Sequence, residues 1–236
     1  MPKLVLDIET IGVCFDSLDK ITQESLTRWI KKESFDEDEY RVALRDLKEG
    51  LGFSPLTGEI VAIGVLDVEK NKGAVYVQSP GKAVEPWSND IFSFQPMTEE
   101  EMIKKFWEGD KQYSEFITFN GRAFDVPFIL ARGAKYGIRS TKDLMSNRYT
   151  NSQKFEAKHI DLLDQLNFYG VTRKKGNLHL WCKLFGIKSP KTEEITGEDV
   201  APLFAAKEYK KIAEYNSLDL TATRELYLKW EKYLKF

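Results

Sequence analysis

A mixed α/β sheet of five strands with helices on both faces is what this 236-residue sequence predicts, and three observations carry it. Residues 3–8, KLVLDI, form a near-continuous apolar run, as expected of a central strand buried on both faces. EIVAIGVLDV (59–68) and GAVYVQS (73–79) are joined by the turn-like EKNKG and read as an antiparallel hairpin. Beyond them EFITFN (115–120) and AKHIDL (157–162) alternate with helical segments. A three-stranded meander followed by strands separated by helices argues for a mixed sheet, not an all-parallel one.

The remaining elements follow in order. Between the first strand and the hairpin, residues 11–56 hold two charged stretches, ITQESLTRWIKKES and DEYRVALRDLKEGLG, with ten acids and seven bases from Asp16 to Glu49. They read as a solvated helical insertion that leaves the chain directly after Glu9 and Thr10, so it is expected to flank whatever site those residues form. Thr98 and Glu101 give a capping-box signature that starts a helix over MIKKFWEG. Pro127 suits the first turn of another helix, and a last long helix is expected from about Glu208 to Lys235.

With 42% hydrophobic residues and 13% aromatics, the chain can bury a sizeable core, and 1–236 reads as a single domain carrying the 11–56 insertion. It shows neither a charged leader followed by a long apolar run nor a stretch near 18 apolar residues, so no signal peptide or membrane span is expected. The two cysteines, Cys14 and Cys182, have no CxxC or His-paired spacing. That argues against a zinc site or disulfide framework and for a reducing, cytoplasmic setting. A net charge of −2 excludes a globally basic nucleic-acid coat protein, so any such contact must come from a local patch.

Three segments place carboxylates where a core rarely accepts them. In a strand, residues two apart share a face, so Asp7 and Glu9 project together at the end of the first strand. Ile212, Tyr215, Asp219, Ala222 and Leu226 follow 3,4,3,4 spacing and form one helical stripe, with Asp219 in apolar company. No Lys or Arg shares that stripe, so a cation or another chain element must compensate the charge. Asp125, just before Pro127, taken alone suits a helix N-cap.

Asp-x-Glu in LVLDIET, Asn-Gly-x-x-Phe-Asp in FNGRAFD and Tyr-x-x-x-Asp in YNSLD, in that order, resemble the three motifs of the DEDDy-type 3′-to-5′ exonucleases of the RNase H-like (DnaQ-like) superfamily. The similarity is strongest to standalone proteins related to the exonuclease domain of family B DNA polymerases. It extends over nearly the whole chain, through HIDLLDQL, LFGIKSPK and the final helix. The resemblance implies an RNase H-like fold and phosphodiester hydrolysis at the 3′ ends of single-stranded nucleic acid, releasing nucleoside 5′-monophosphates. DNA is the favoured substrate and RNA an open alternative, and no polymerase of its own is expected. It also implies two divalent cations held by Asp7, Glu9, Asp125 and Asp219, with Tyr215 orienting the attacking water. An all-oxygen donor set favours Mg²⁺ or Mn²⁺.

By the same resemblance, Thr10, Asn120, Phe124 and Leu178 contact the terminal nucleotides, although Asn177 stands where the family has a hydroxyl residue before the leucine. Asp161 is placed behind the site, and His159 reads as a structural histidine. From the residues alone, the window Gln165–Thr192 contains no acid but includes Arg173, Lys174, Lys175, Lys183, Lys188 and Lys191, a candidate phosphate-tracking surface. The competing readings are an RNA-trimming enzyme, a nucleic-acid-binding module that has lost catalysis, and a structural Ca²⁺ site. The last lacks EF-hand loop spacing.

Overall fold

The computed structural model describes residues 1–190 and 197–235. One mixed sheet of seven strands organises it: β1 (Lys3–Gly12), β2 (Gly58–Asp67), β3 (Lys72–Val77), β4 (Trp87–Ser88), β5 (Phe92–Pro96), β6 (Glu115–Thr118) and β7 (Lys158–Asp161), in the order β4-β5-β3-β2-β1-β6-β7. β1, β2 and β3 form the antiparallel meander, while β6 and β7 run parallel to β1 on its other side.

Two strands therefore exceed the expected five. β4 and β5 are too short for a periodicity signal and are bounded by Asn89-Asp90 and Pro96. They form because β5 pairs in parallel with β3 and buries Phe92 and Phe94, on which Trp87 stacks at 4.7 Å. A second correction concerns β1, which does not end at Glu9. It continues to Gly12 through an irregularity between Glu9 and Thr10, where the partner register jumps from Ala62 to Ile60. Val61 is thus the extra residue of a β-bulge, a device that re-aims side chains beside sites.

Helices α1 (Lys20–Glu33) and α2 (Glu37–Gly50) make up most of the insertion, α3 (Glu99–Gly109) and α4 (Asp125–Lys135) follow, then α5 (Leu162–Leu166), α6 (Leu178–Phe185), α7 (Val200–Ala205) and α8 (Tyr209–Tyr233). Asp19 and Asp36 cap α1 and α2, which bury little, so the insertion is the solvated helical pair its charge pattern indicates. Thr98 and Glu101 form the reciprocal capping box at α3.

Strand alternation sorts the core into two layers. Leu4, Leu6 and Ile8 of β1 pack with Ile60 and Ile63 of β2 against Met102, Ile103 and Phe106 of α3 and Phe128 and Ile129 of α4. Val5 faces the other way, toward Ile212, Leu220, Leu226 and Tyr227 of α8. Asp7 and Glu9 continue that second face, so the strand aims both acids at α8. Beside the bulge, the buried Glu99 carboxylate accepts from the Ile60 amide at 2.8 Å and from Arg132 and Tyr136. No helix among the described residues is long and apolar enough to cross a membrane.

Candidate metal centre

Asp7 pairs with Gly64 across β1 and β2. A Cβ at Gly64 would lie 1.9 Å from Asn216 Oδ1 and 2.6 Å from Leu220 Cδ1, so the missing side chain is what lets α8 settle onto the strands at this point. Settled there, α8 brings Asp219 to the two strand acids. Oxygens of Asp7, Glu9 and Asp219 all lie within 4.8 Å of one another. Asn216 donates its side-chain amide to Asp7 Oδ2 at 2.8 Å.

Asp125 reaches the same centre from the other layer. The β1–β6 ladder stops at Val5, and beyond it the Ile8 amide is taken by Asp125 Oδ1 at 3.0 Å. Asp125 is therefore not an N-cap: Phe124 holds that position, and Asp125 is the buried first residue of α4 with its carboxylate turned to β1. Pro127 sits in the first turn, as its fixed φ and missing N–H allow.

The electrostatics follow from crowding. Burial, then the charges of Asp125, Asp219 and Glu9, push the Asp7 carboxyl well above the usual carboxylate range. Glu9 is raised well above that range by burial and by Asp219, with the nearby Asn216 side chain opposing. Burial pushes Asp125 up to about 7 against the opposing Asp125 and Ile8 amides. The Tyr215 phenol is raised above its usual range by burial and by the charges of Asp219, Glu9 and Asp7. Asp7, Glu9 and Asp125, each raised by burial and by neighbouring acids, form the kind of crowded carboxylate group that pairs or coordinates a metal. The donor set is oxygen throughout, so these residues fit hard divalent cations.

Behind the centre, Asp161 caps α5 through the Leu163 amide and accepts from the Asn120 and Arg122 amides at 2.8 and 3.0 Å. It thereby fixes the turn that leads into Asp125. His159 is buried, with Nδ1 3.0 Å from the Leu144 carbonyl and Nε2 2.8 Å from Thr118 Oγ. A carbonyl only accepts, so Nδ1 carries the proton and Nε2 accepts from the threonine hydroxyl, which makes the histidine a structural strut.

The other residues named from sequence fall in different places. Asn120 is exposed in the left-handed region, at φ 67°, and lines a cleft of about 370 Å³ together with Leu178, Lys175, His179 and Asp219. Leu178, whose flanking sequence departs from the family pattern, is thus beside the centre. The Thr10 hydroxyl donates to the Gly52 carbonyl at 2.7 Å. Phe124 is half-buried against Phe128 and Phe53. Arg173, Lys174, Lys183 and Lys188 are exposed and do not line the cleft. Lys191 lies outside the described residues.

Sequence reasoning passed over Asn216 and Gly64. Asn216 precedes Asp219 by three residues, a spacing that shares a helix face, and that was the available signal. Gly64 gave none, because its role is to be absent from a contact that only the fold creates.

Residues 56–235 match the model of a family described as predicted 3′-5′ exonucleases related to the exonuclease domain of PolB. Asp7 and Glu9 precede the matched residues. A DNA polymerase of Thermococcus litoralis is 27% identical over 179 residues, 72% of this chain and 10% of the polymerase. The catalytic polypeptide of DNA polymerase epsilon from Aspergillus fumigatus is 27% identical over 77% of this chain and 8% of its own length. DNA polymerase 1 of Sulfurisphaera ohwakuensis is 23% identical over 93% of the chain and 26% of its own length. The chain thus spans about a quarter or less of these relatives. The family B DNA polymerase of Pyrobaculum calidifontis superposes with a TM-score of 0.59 at 15% identity, covering 98% of this chain and 24% of that one, a likeness of fold.

Proposed function

Because the chain belongs to the family of predicted 3′-5′ exonucleases related to the exonuclease domain of PolB, we propose that it is a metal-dependent 3′-to-5′ exonuclease acting on single-stranded DNA ends and releasing nucleoside 5′-monophosphates. The observation that carries this reading is the convergence of Asp7, Glu9 and Asp219 oxygens within 4.8 Å, with Asp125 anchored alongside on the Ile8 amide. DNA is favoured because the relatives named above are DNA polymerases.

Asp7, Glu9 and Asp219 would hold one Mg²⁺ or Mn²⁺ ion, and Asp7 with Asp125 a second. When bound, such ions supply Lewis-acid activation of water and charge stabilisation at the departing 3′ oxygen. The protein's own contributions are positional. Asn216 fixes the rotamer of Asp7, the Ile8 amide fixes that of Asp125, and the Tyr215 hydroxyl, which feels the charge of Asp219, orients the attacking water. Asn120 and Leu178 at the cleft, with Phe124 beside Asp125, receive the strand end, and Thr10, whose hydroxyl is committed to Gly52, serves through its backbone. The basic 165–192 window guides the phosphates, with Lys175 lining the cleft. Asp161 positions Asp125 through the 120–122 turn.

The test is incubation of 5′-labelled single-stranded DNA, duplex, mismatched duplex and matching RNA with Mg²⁺, Mn²⁺ or EDTA, beside an Asp7→Ala variant. Metal-dependent shortening from the 3′ end, absent in Asp7→Ala, is expected. Absence of shortening under every condition refutes the enzyme reading, and faster loss of RNA reassigns the substrate.

A further inference from the structure

The insertion returns to the sheet through a three-residue turn, Leu51–Phe53, and places a large apolar side chain in water at the edge of the metal centre. Phe53 is 70% exposed. A single exposed phenylalanine carries no message by itself. Two features separate this one from surface scatter.

The first is rigidity. A Cβ at Gly12 would meet Leu51 Cβ at 2.7 Å and Gly52 N at 2.9 Å, and a Cβ at Gly52 would meet Gly12 N at 3.0 Å, so the turn lies backbone to backbone on the end of β1. The Thr10 hydroxyl donates to Gly52 O at 2.7 Å, the Thr57 hydroxyl donates to Leu51 O at 2.8 Å, and the Val13 amide donates to Thr57 O at 2.8 Å. The aromatic ring is exposed on a base that cannot sway, so little ordering entropy is lost when something stacks on it.

The second is location. The Phe53 ring centroid lies 6.5 Å from that of Phe124, tilted by 59°, and Phe124 immediately precedes Asp125. The turn's anchor, Thr10, follows Glu9 on β1. A free aromatic face is therefore fixed at the rim of a centre whose proposed substrate is a strand of stackable bases.

Resting on the exonuclease reading above, we propose that Phe53 is a nucleobase-stacking residue: its exposed face receives one of the two bases flanking the phosphate under attack, extending the surface begun by Phe124. A flat apolar ring accepts every base, so the contact confers grip without sequence preference. It also gives the insertion a task, because α1 and α2 bury little of their own and their return turn carries the ring to the site.

The experiment uses the full chain in EDTA, where no turnover occurs, and a 5′-fluorescein single-stranded oligonucleotide carrying 2-aminopurine at the terminal or the penultimate 3′ position. Wild type, Phe53→Ala, Phe53→Leu and Phe53→Trp are compared, with thermal melts to show that this exposed position leaves the fold intact. The expected result is quenching at one of the two positions in wild type and Phe53→Trp, lost in Phe53→Ala and Phe53→Leu, with affinity about tenfold weaker in Phe53→Ala. Equal quenching and affinity in wild type and Phe53→Ala overturn the proposal and assign the patch to a protein partner. DNA binding with Phe53-dependent quenching but no metal-dependent shortening refutes the exonuclease reading and upholds the stacking role. Shortening with Phe53-independent quenching does the reverse, and absence of any DNA binding overturns both.

Discussion

Asn216 and Asp7 stand 209 residues apart in sequence, and the asparagine amide donates to the aspartate Oδ2 at 2.8 Å. The bond ties the last long helix to the first strand at the point where the charges converge. Hydrogen-bonding partners of metal ligands are typically worth 10- to 100-fold in metal affinity or activity. Asn216→Ala is therefore expected to need about tenfold or more Mn²⁺ for half-maximal activity, read from the metal dependence of oligonucleotide shortening.

Gly64→Ala tests the seating of α8 on the sheet. Its Cβ would overlap Asn216 Oδ1 at 1.9 Å and Leu220 Cδ1 at 2.6 Å, both on a buried helix face. Overpacking of this kind costs about 1–3 kcal/mol. Urea unfolding should show that loss, and activity should fall with it because Asp219 moves with the helix.

The carboxylates predict a trade between stability and activity. Asp7 and Glu9 are raised well above their usual range by burial and by neighbouring acids. In metal-free protein, Asp7→Asn should raise the melting temperature while abolishing activity. For the wild type, Mn²⁺ at 100 times its dissociation constant should stabilise by about 2.7 kcal/mol, an effect that EDTA removes. A wild type whose melting ignores both Mn²⁺ and EDTA would contradict the metal assignment.

Arg132 and Glu99 form a buried pair at 2.5 Å, and Glu99 also holds the Ile60 amide beside the β-bulge. Removing one partner leaves an uncompensated buried charge, at about 3–5 kcal/mol. Arg132→Met should destabilise by that amount in chemical denaturation, and replacing both residues by apolar ones of similar volume should restore much of it, apart from the cost of the orphaned Ile60 amide.

His159 makes acid stability testable. Burial lowers its folded-state pKa from 6.5 to about 4. The unfolded chain therefore takes up a proton that the native state refuses. The native state loses stability as pH falls from about 6.5 to 4, by roughly 3 kcal/mol in all, and loses nothing above that window. The raised carboxyls act with the opposite sign, since protonation relieves their repulsion. The check is thus the wild-type stability minus that of His159→Gln across pH 4–8, in which the carboxyl contribution cancels and the difference should shrink toward acid.

The amino-acid pattern alone determined the motif residues, the meander, the capping box at Thr98, the long last helix and the solvated character of the insertion. Each of these rests on short-range periodicity or on local capping chemistry. What it missed required partners distant in the chain. β4 and β5 exist because β3 offers an edge and a core to receive Phe92 and Phe94. The bulge after Glu9 exists because β2 carries an extra residue at Val61. The sequence makes Asp125 look like a helix cap, and only the end of the β6 ladder at Val5, which leaves the Ile8 amide open, turns it into a member of the charge cluster. The role of Gly64 likewise has no meaning until α8 lies across it. Local propensity chose the elements, while long-range pairing and close approach decided how four separate acids came to share one small volume.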